Sequence, residues 1–396
     1  MSVAIASAML AYPIIASGET RVIPSIAVSE RYDSNVFFAP QSFAPGQILW
    51  DFVTALTPEV GIQSRQRQVD ASVRVGASSN VYVNNPGLNY VSTNAALLLG
   101  LNELAGLVRS GARLQIADQF TYTPEPPAFL PGTEQQIVSN PFIRGIQVTR
   151  ANQLMNVASI TGALPLTGTV DLDASYNYSL LRYGKSFVPR TQAVLFDTNT
   201  QSAMAGISAR VTARDTLRLS YLYGSSEIIG LQTFTTHAAM VGWSRSLHPT
   251  LIASVSGGPT LIEPGNTLSY VGTASATWTP TTTDSVTINY SRAILPSFFI
   301  QAAAVASDTV TASFSHSMSA NLTLTGSANY AKSEAIPTPV VMFRSYGASL
   351  SANYQLSPTL SASLSYSYSD FLSGSGGLEF RFDRNVIMLS IHAKWQ

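Results

Sequence analysis

The chain has 396 residues, balances 22 basic against 22 acidic side chains, and is only 11% charged. Zero net charge removes the electrostatic ground for nucleic-acid binding, and the lack of cysteine excludes disulfide frameworks, thiolate metal sites, cysteine nucleophiles and a lipoprotein anchor. Mean hydropathy is mildly positive, yet beyond the first segment no run of 18 or more apolar residues appears, so no transmembrane helix is expected.

The first segment, MSVAIASAMLAYPIIASGET, carries a short apolar run ending at Ala16-Ser17-Gly18, small residues spaced like a signal-peptidase site. Residues 1–18 read as an export signal cleaved after Gly18, although no Lys or Arg precedes the run. A buried first strand or helix would read the same way. Residues 19–396 read as one domain.

Beyond residue 19 the rhythm is two. In TLSASLSYSYSDF (359–371), Leu360, Ala362, Leu364, Tyr366 and Tyr368 share one parity, and serine fills every odd position from Ser361 to Ser369. Successive side chains of a strand point to opposite faces, so such a strand is apolar on one side and hydroxylic on the other. The unit recurs in VTARDTLRLSYLY (211–223), LHPTLIASVSGG (247–258), TPTTTDSVTINYS (279–291) and MSANLTLTGSANY (318–330), each a polar turn followed by alternation. Short turns around Gln66, Gly168, Ala213, Pro249, Thr282, Ala320 and Pro358 alternate with longer connections at 33–48, 84–89, 124–146, 184–193, 228–232, 334–342 and 372–383. That pattern predicts an all-β fold: a transmembrane antiparallel up-and-down β-barrel of about 18 strands (roughly 16–20), each of roughly 10–15 residues. An even count leaves both termini on the short-turn, periplasmic side.

Aromatic residues fall at two heights. Tyr82, Tyr122, Tyr178, Tyr223, Tyr290, Tyr330 and Tyr368 come late in strands leaving short turns. In returning strands Trp50, Tyr90, Tyr270 and Tyr346 come early, and Trp243, Trp278, Tyr354 and Trp395 come last. Two belts separated by aliphatic residues match the two headgroup levels of a bilayer. Two places break the pattern. Asp118 falls on the apolar parity of RLQIADQFTYT (113–123), where a bulge or register change is expected, and residues 147–163 lack clean alternation.

The opposite parity gives the expected interior. Late strands supply small hydroxyls, among them Ser275, Thr287, Thr325, Ser351 and Ser363; early strands supply Asp51, Glu59, Arg65, Asp70, Arg74, Arg113, Asp171, Asp173, Arg210 and Arg218. Such a lining suits water, and a barrel of this size can hold an aqueous channel. The third long connection, 123–147, is the longest and most apolar. By analogy with the inward-folding third loop of general porins, Glu125, Glu134 and Arg144 are candidates for a constriction; a surface loop packed on its neighbours is the other reading. His237, His248, His316 and His392 are scattered over separate strands and turns, without metal-ligand spacing, and no carboxylate lies near His392 in sequence to orient it. No catalytic, cofactor or metal site is expected, and the chain does not read as an enzyme.

Two stretches carry resemblances. In RNVIMLSIHAKWQ (384–396), Ile387, Leu389, Ile391, Ala393 and Trp395 share a face. This resembles the terminal strand of bacterial outer-membrane proteins, which implies that Leu389, Ile391 and Trp395 form a signal read by the barrel-assembly machinery; Gln396 after the aromatic departs from the pattern. SERYDSNVFF (29–38) resembles the opening of the β-barrel porin families of the bacterial outer membrane, some members of which are associated with exopolysaccharide or protein-sorting loci. Asp33 and Asn35 within it read as a turn with Asx-type hydrogen bonds or as a cation site at the mouth. The expected function is a porin-like passive diffusion channel for small hydrophilic solutes, with outer-membrane lipid and the assembly machinery as partners. The alternative is a structural or export barrel of a polysaccharide secretion system or other envelope complex, with a periplasmic partner.

Overall fold

The computed structural model describes residues 19–43, 46–125, 150–187, 195–296, 304–336, 341–375 and 378–395. The expected export signal lies outside them. The strands are β1 (Glu19–Asp33), β2 (Asp51–Arg65), β3 (Asp70–Tyr82), β4 (Tyr90–Gly100), β5 (Arg113–Thr123), β6 (Ala151–Pro165), β7 (Val170–Ser186), β8 (Thr198–Arg210), β9 (Asp215–Ile228), β10 (Gln232–His248), β11 (Leu251–Glu263), β12 (Thr267–Trp278), β13 (Asp284–Pro296), β14 (Ala304–Ser317), β15 (Leu322–Ile336), β16 (Val341–Ser357), β17 (Leu360–Ser375) and β18 (Leu378–Lys394). Each pairs antiparallel with its sequence neighbours. The ladder from Ser25↔Lys394 to Asp33↔Val386 joins β1 to β18 and closes an 18-stranded up-and-down barrel. Closure leaves no edge, so the strand backbone is paired within the wall.

Turn chemistry fixes the hairpins locally. Between β8 and β9, Thr212 Oγ1 accepts from the backbone N–H of Arg214 and Asp215 and donates to Asp215 Oδ2 at 2.6 Å. The Thr281-x-x-Asp284 turn ahead of β13 repeats the arrangement, and Ser319 does the same for β15. Short side-chain oxygens satisfy the turn amides, and the chain reverses in four or five residues.

Directly paired residues share a face, so the register separates two parities around the whole cylinder. The outward one carries Leu219, Val241 and Leu268, which are 61%, 63% and 72% exposed, together with aliphatics on nearly every strand. A water-soluble surface rarely shows a continuous apolar band of that extent; hydrocarbon is the solvent that suits it. The outward rings include Tyr122, Tyr178, Tyr223, Tyr290, Tyr330 and Tyr368 toward one end, and Trp243, Trp278, Tyr354 and Trp395 toward the other. Two rings expected in the belts do not belong there. Tyr82 pairs with inward Val53, and Tyr90 with inward Asn80, so both point into the barrel.

Other expectations are corrected by the ladder. The expected loop 372–383 is mostly strand: Phe371↔Phe382 pair inside and Arg381 reaches Asp370 at 2.9 Å outside, holding β17 and β18 together to Ser375↔Leu378. The contrast between short and long connections fades in the second half, where only 229–231 and 264–266 separate β9 from β10 and β11 from β12. One connection at the short-turn end, 101–112, is longer than expected and contains a short helix, α1 (Asn102–Val108). The ladder also runs unbroken through Asp118, without the expected bulge: it pairs with Leu97 and Ala158 on the outer face. Its carboxylate accepts a 2.5 Å hydrogen bond from Asn156 Nδ2 on β6. Most of the stretch 147–163, which lacks clean alternation, falls in β6 all the same, because β5 and β7 flank it.

Candidate functional site

The interior has two unlike walls. On β2, β3 and β7–β9 the inward parity carries ions that pair across strands. Glu59 lies 3.3 Å from Arg74 Nε, and Arg65 Nε lies 3.5 Å from Asp70. Asp173 on β7 meets Arg218 on β9 directly. The bridge crosses β8 at Gly206, where a Cβ would stand 3.2 Å from the guanidinium, so the bare backbone makes room for it. Arg113, Asp171 and Arg210 also lie on the inward parity, at the short-turn ends of β5, β7 and β8. A cavity of about 440 Å³ at this end is lined by Glu19, Arg21, Gln63, Arg65, Asp70 and Gln115, among others. Asp51, expected to line the pore, is fully buried. Its carboxylate accepts from the backbone N–H of Val83, Asn84 and Asn85 at 2.8–3.0 Å and from Asn85 Nδ2 at 2.9 Å, so it caps the β3–β4 connection.

At the long-loop end the first connection turns into the barrel. Its root is Asp33, the last residue of β1, whose carboxylate accepts from Arg384 Nε at 2.9 Å and Nη2 at 2.5 Å across the β1–β18 seam. Asp33 also accepts from the backbone N–H of Asn35, the expected Asx turn. Asn35 Nδ2 in turn donates to the carbonyls of Ala39 and Asp383 at 3.0 and 3.3 Å. The apolar run that follows buries itself on both sides. Val36, Phe37 and Ala39 pack with Val53 on β2, Tyr82 on β3 and Leu88 in the β3–β4 connection. Phe38 packs with Leu295, Val305, Phe343, Phe371 and Phe382 on β13, β14 and β16–β18. The segment therefore bridges separated sectors of the inner wall and narrows the mouth. Phe38 holds φ at +54°, a left-handed conformation that costs a side-chain-bearing residue about 1–3 kcal/mol. Burial of its ring under the Arg384 guanidinium, 4.4 Å from the centroid, holds it there.

A buried ionic cluster fixes this inward fold from the other side. Arg150, which precedes β6, has no solvent exposure; it donates to the Val36 carbonyl at 2.6 Å and to the Tyr82 hydroxyl at 2.7 Å. Glu125 accepts from Arg31 at 2.8 and 3.2 Å, from Tyr82 at 2.8 Å and from Tyr90 at 3.0 Å. Burial alone would raise the Glu125 pKa, but the guanidiniums of Arg31 and Arg150 outweigh it and hold the carboxyl well below the usual carboxylate range. Glu125 is thus an anchor inside the wall and not a charge in the passage. Glu134 and Arg144 lie outside the described residues. Among the described residues, the inward fold at the mouth is that of the first connection.

Arg31, Arg150 and Arg384 were not singled out from sequence, and Tyr82 and Tyr90 only as belt aromatics. A usable signal was present at Val36-Phe37-Phe38: three apolar residues in a connection, beside inward Arg31 and Asp33, have to find cover within the barrel. Among the described residues no group of His, Asp or Glu side chains is arranged as metal ligands.

Comparison with known proteins agrees with this architecture. The sequence profile of the family described as "Putative beta-barrel porin 2" matches residues 266–395, which spans β12–β18. A search of curated proteins found no match. Similar solved structures include OccK1 (OpdK) of Pseudomonas aeruginosa, at 9% identity and TM-score 0.48, covering 94% of this chain and 99% of that one. The siderophore receptor PirA of Pseudomonas aeruginosa aligns at 9% identity and TM-score 0.45, covering 95% and 80%. The outer membrane protein OmpT of Vibrio cholerae aligns at 10% identity and TM-score 0.41, covering 97% and 100%. At these distances the ground for the fold is the chain's own closed ladder and its divided faces. The last third of the chain resembles a β-barrel porin family, and the whole is a porin-like barrel of the outer-membrane type.

Proposed function

We propose that the protein is a passive diffusion channel for small hydrophilic solutes in the bacterial outer membrane. The observation that carries this reading is an inner face of hydroxyls and paired ions on the strands below the apolar packing of the first connection, inside a wall that is apolar outside. Solutes cross by diffusion, without chemistry, and are selected by width at the inward-folded first connection and by the lining beneath it. β1 begins and β18 ends at the short-turn end, which we assign to the periplasm; residues 1–18 act as the export signal, and Leu389, Ile391 and Trp395 address the barrel-assembly machinery.

Planar-bilayer recording of the refolded protein tests the reading. Stepwise conductance is expected. A folded barrel, recognised by heat-modifiable gel migration, that passes no ion current overturns it.

A further inference from the structure

We infer that the channel is matched to uncharged polyhydroxylated solutes, saccharides in chemical class; this rests on the diffusion-channel reading and specifies what passes. The observation is the asymmetry of the lumen. On eight consecutive strands, β10–β17, no described residue of the inward parity is ionisable. Serine and threonine predominate there, and they pair with one another across strands: Ser254 with Ser275 at 2.7 Å, Thr325 with Ser351 at 2.6 Å, Ser327 with Ser349 at 2.8 Å. In each pair either oxygen can be the donor. A hydroxyl brings one donor and two acceptor sites and rotates freely. Such a wall therefore meets a polyol in any orientation and exchanges its water hydrogen bonds nearly evenly.

The remaining charges do not restore a field along the passage. Glu59–Arg74, Arg65–Asp70, Asp173–Arg218 and Glu19–Arg21 are closed on themselves, and Arg113, Asp171, Arg210 and His392 stand toward the short-turn rim. At the narrowing, Asp33 pairs with Arg384, Glu125 lies between Arg31 and Arg150, Asp51 is taken up by backbone N–H groups, and all six side chains are nine-tenths or more buried. An ion entering this lumen gives up hydration without meeting a fixed counter-charge. A neutral polyol pays no such penalty.

Proteoliposome swelling with glucose, gluconate and glucosamine separates the outcomes, because the three share a carbon skeleton and differ in charge. Glucose is expected to enter several-fold faster than either ion. Replacing the facing pair by S327D and S349D should turn the preference toward glucosamine, in a variant checked for barrel formation by heat-modifiable migration. Equal or faster entry of gluconate or glucosamine through the unaltered protein overturns the inference and leaves the channel standing. Entry of none of the three, with no ion current in the bilayer, overturns the channel reading and this inference with it.

Discussion

Glu125 and Arg150 show how a two-residue rhythm can place a side chain and still misjudge its role. Glu125 was legible as a carboxylate at the base of a long connection, and its charge suggested a pore-facing group. What the sequence could not show is that Arg31, Arg150, Tyr82 and Tyr90 converge on it from four separate places. Alternation assigns a face; depth and partners come from how connections fold back over that face. A buried ion pair stripped of one member leaves the other without compensation, which costs about 3–5 kcal/mol. Glu125→Gln should therefore loosen the first connection and give larger, noisier single-channel steps in planar bilayers. The pH dependence follows from the lowered carboxyl. Its contribution is fully present above the ordinary value of 4.5 and is lost as pH falls through the depressed one. Conductance of the unaltered protein should stay level from neutral pH down to the ordinary carboxylate range and rise only in stronger acid. Glu125→Gln should show the acid-state conductance already at neutral pH. A pH titration of single-channel steps reads both.

Elements were the most legible scale, because the hydrocarbon–water division repeats on every strand and one slipped register would turn a whole strand inside out. The misplaced elements share a cause. Polar residues at the long-loop end read as loop, yet Arg381–Asp370 and the Phe371↔Phe382 pair carry β17 and β18 onward as ladder. Strands can rise beyond the bilayer, where alternation no longer has to separate lipid from water. The β10–β11 pair shows a constraint that alternation does not report. Its ladder lapses between Ala238↔Thr260 and Val241↔Gly257, where Pro259 has no N–H to give and the backbones draw together. A Cβ on Gly258 would lie 1.8 Å from the Ala239 carbonyl oxygen. Gly258→Ala must push the two strands apart, so a loss of about 1–3 kcal/mol is expected, read as a lower urea midpoint of the refolded barrel. An unchanged midpoint would mean the approach is easily relieved.

For the molecule as a whole, the closed cylinder and its strand number were legible; the inward fold of the first connection was not. The first connection was read as a longer loop opening on an Asx turn, and the third as a constriction by analogy or a surface loop; residues 126–149 of the third lie outside the described residues. The physical sign was in the residues. A connection holding Val36, Phe37 and Phe38 cannot lie in water at little cost, whereas a barrel mouth offers cover on several sides. Removing residues 36–43 should raise single-channel conductance several-fold while heat-modifiable migration persists. An unchanged conductance would place the limiting width elsewhere in the lumen.

The salt bridge between Asp33 and Arg384 joins the first strand made to the last, and Asn35 reaches the carbonyl of Asp383 beside it. The base of the first connection is therefore held only where β18 is paired with β1. Until the eighteenth strand arrives, the segment that restricts the entrance lacks the partners that hold its base, and the aperture is set only when the wall is complete. A chain halted before residue 383 would lack both the seam and the means to regulate its own width.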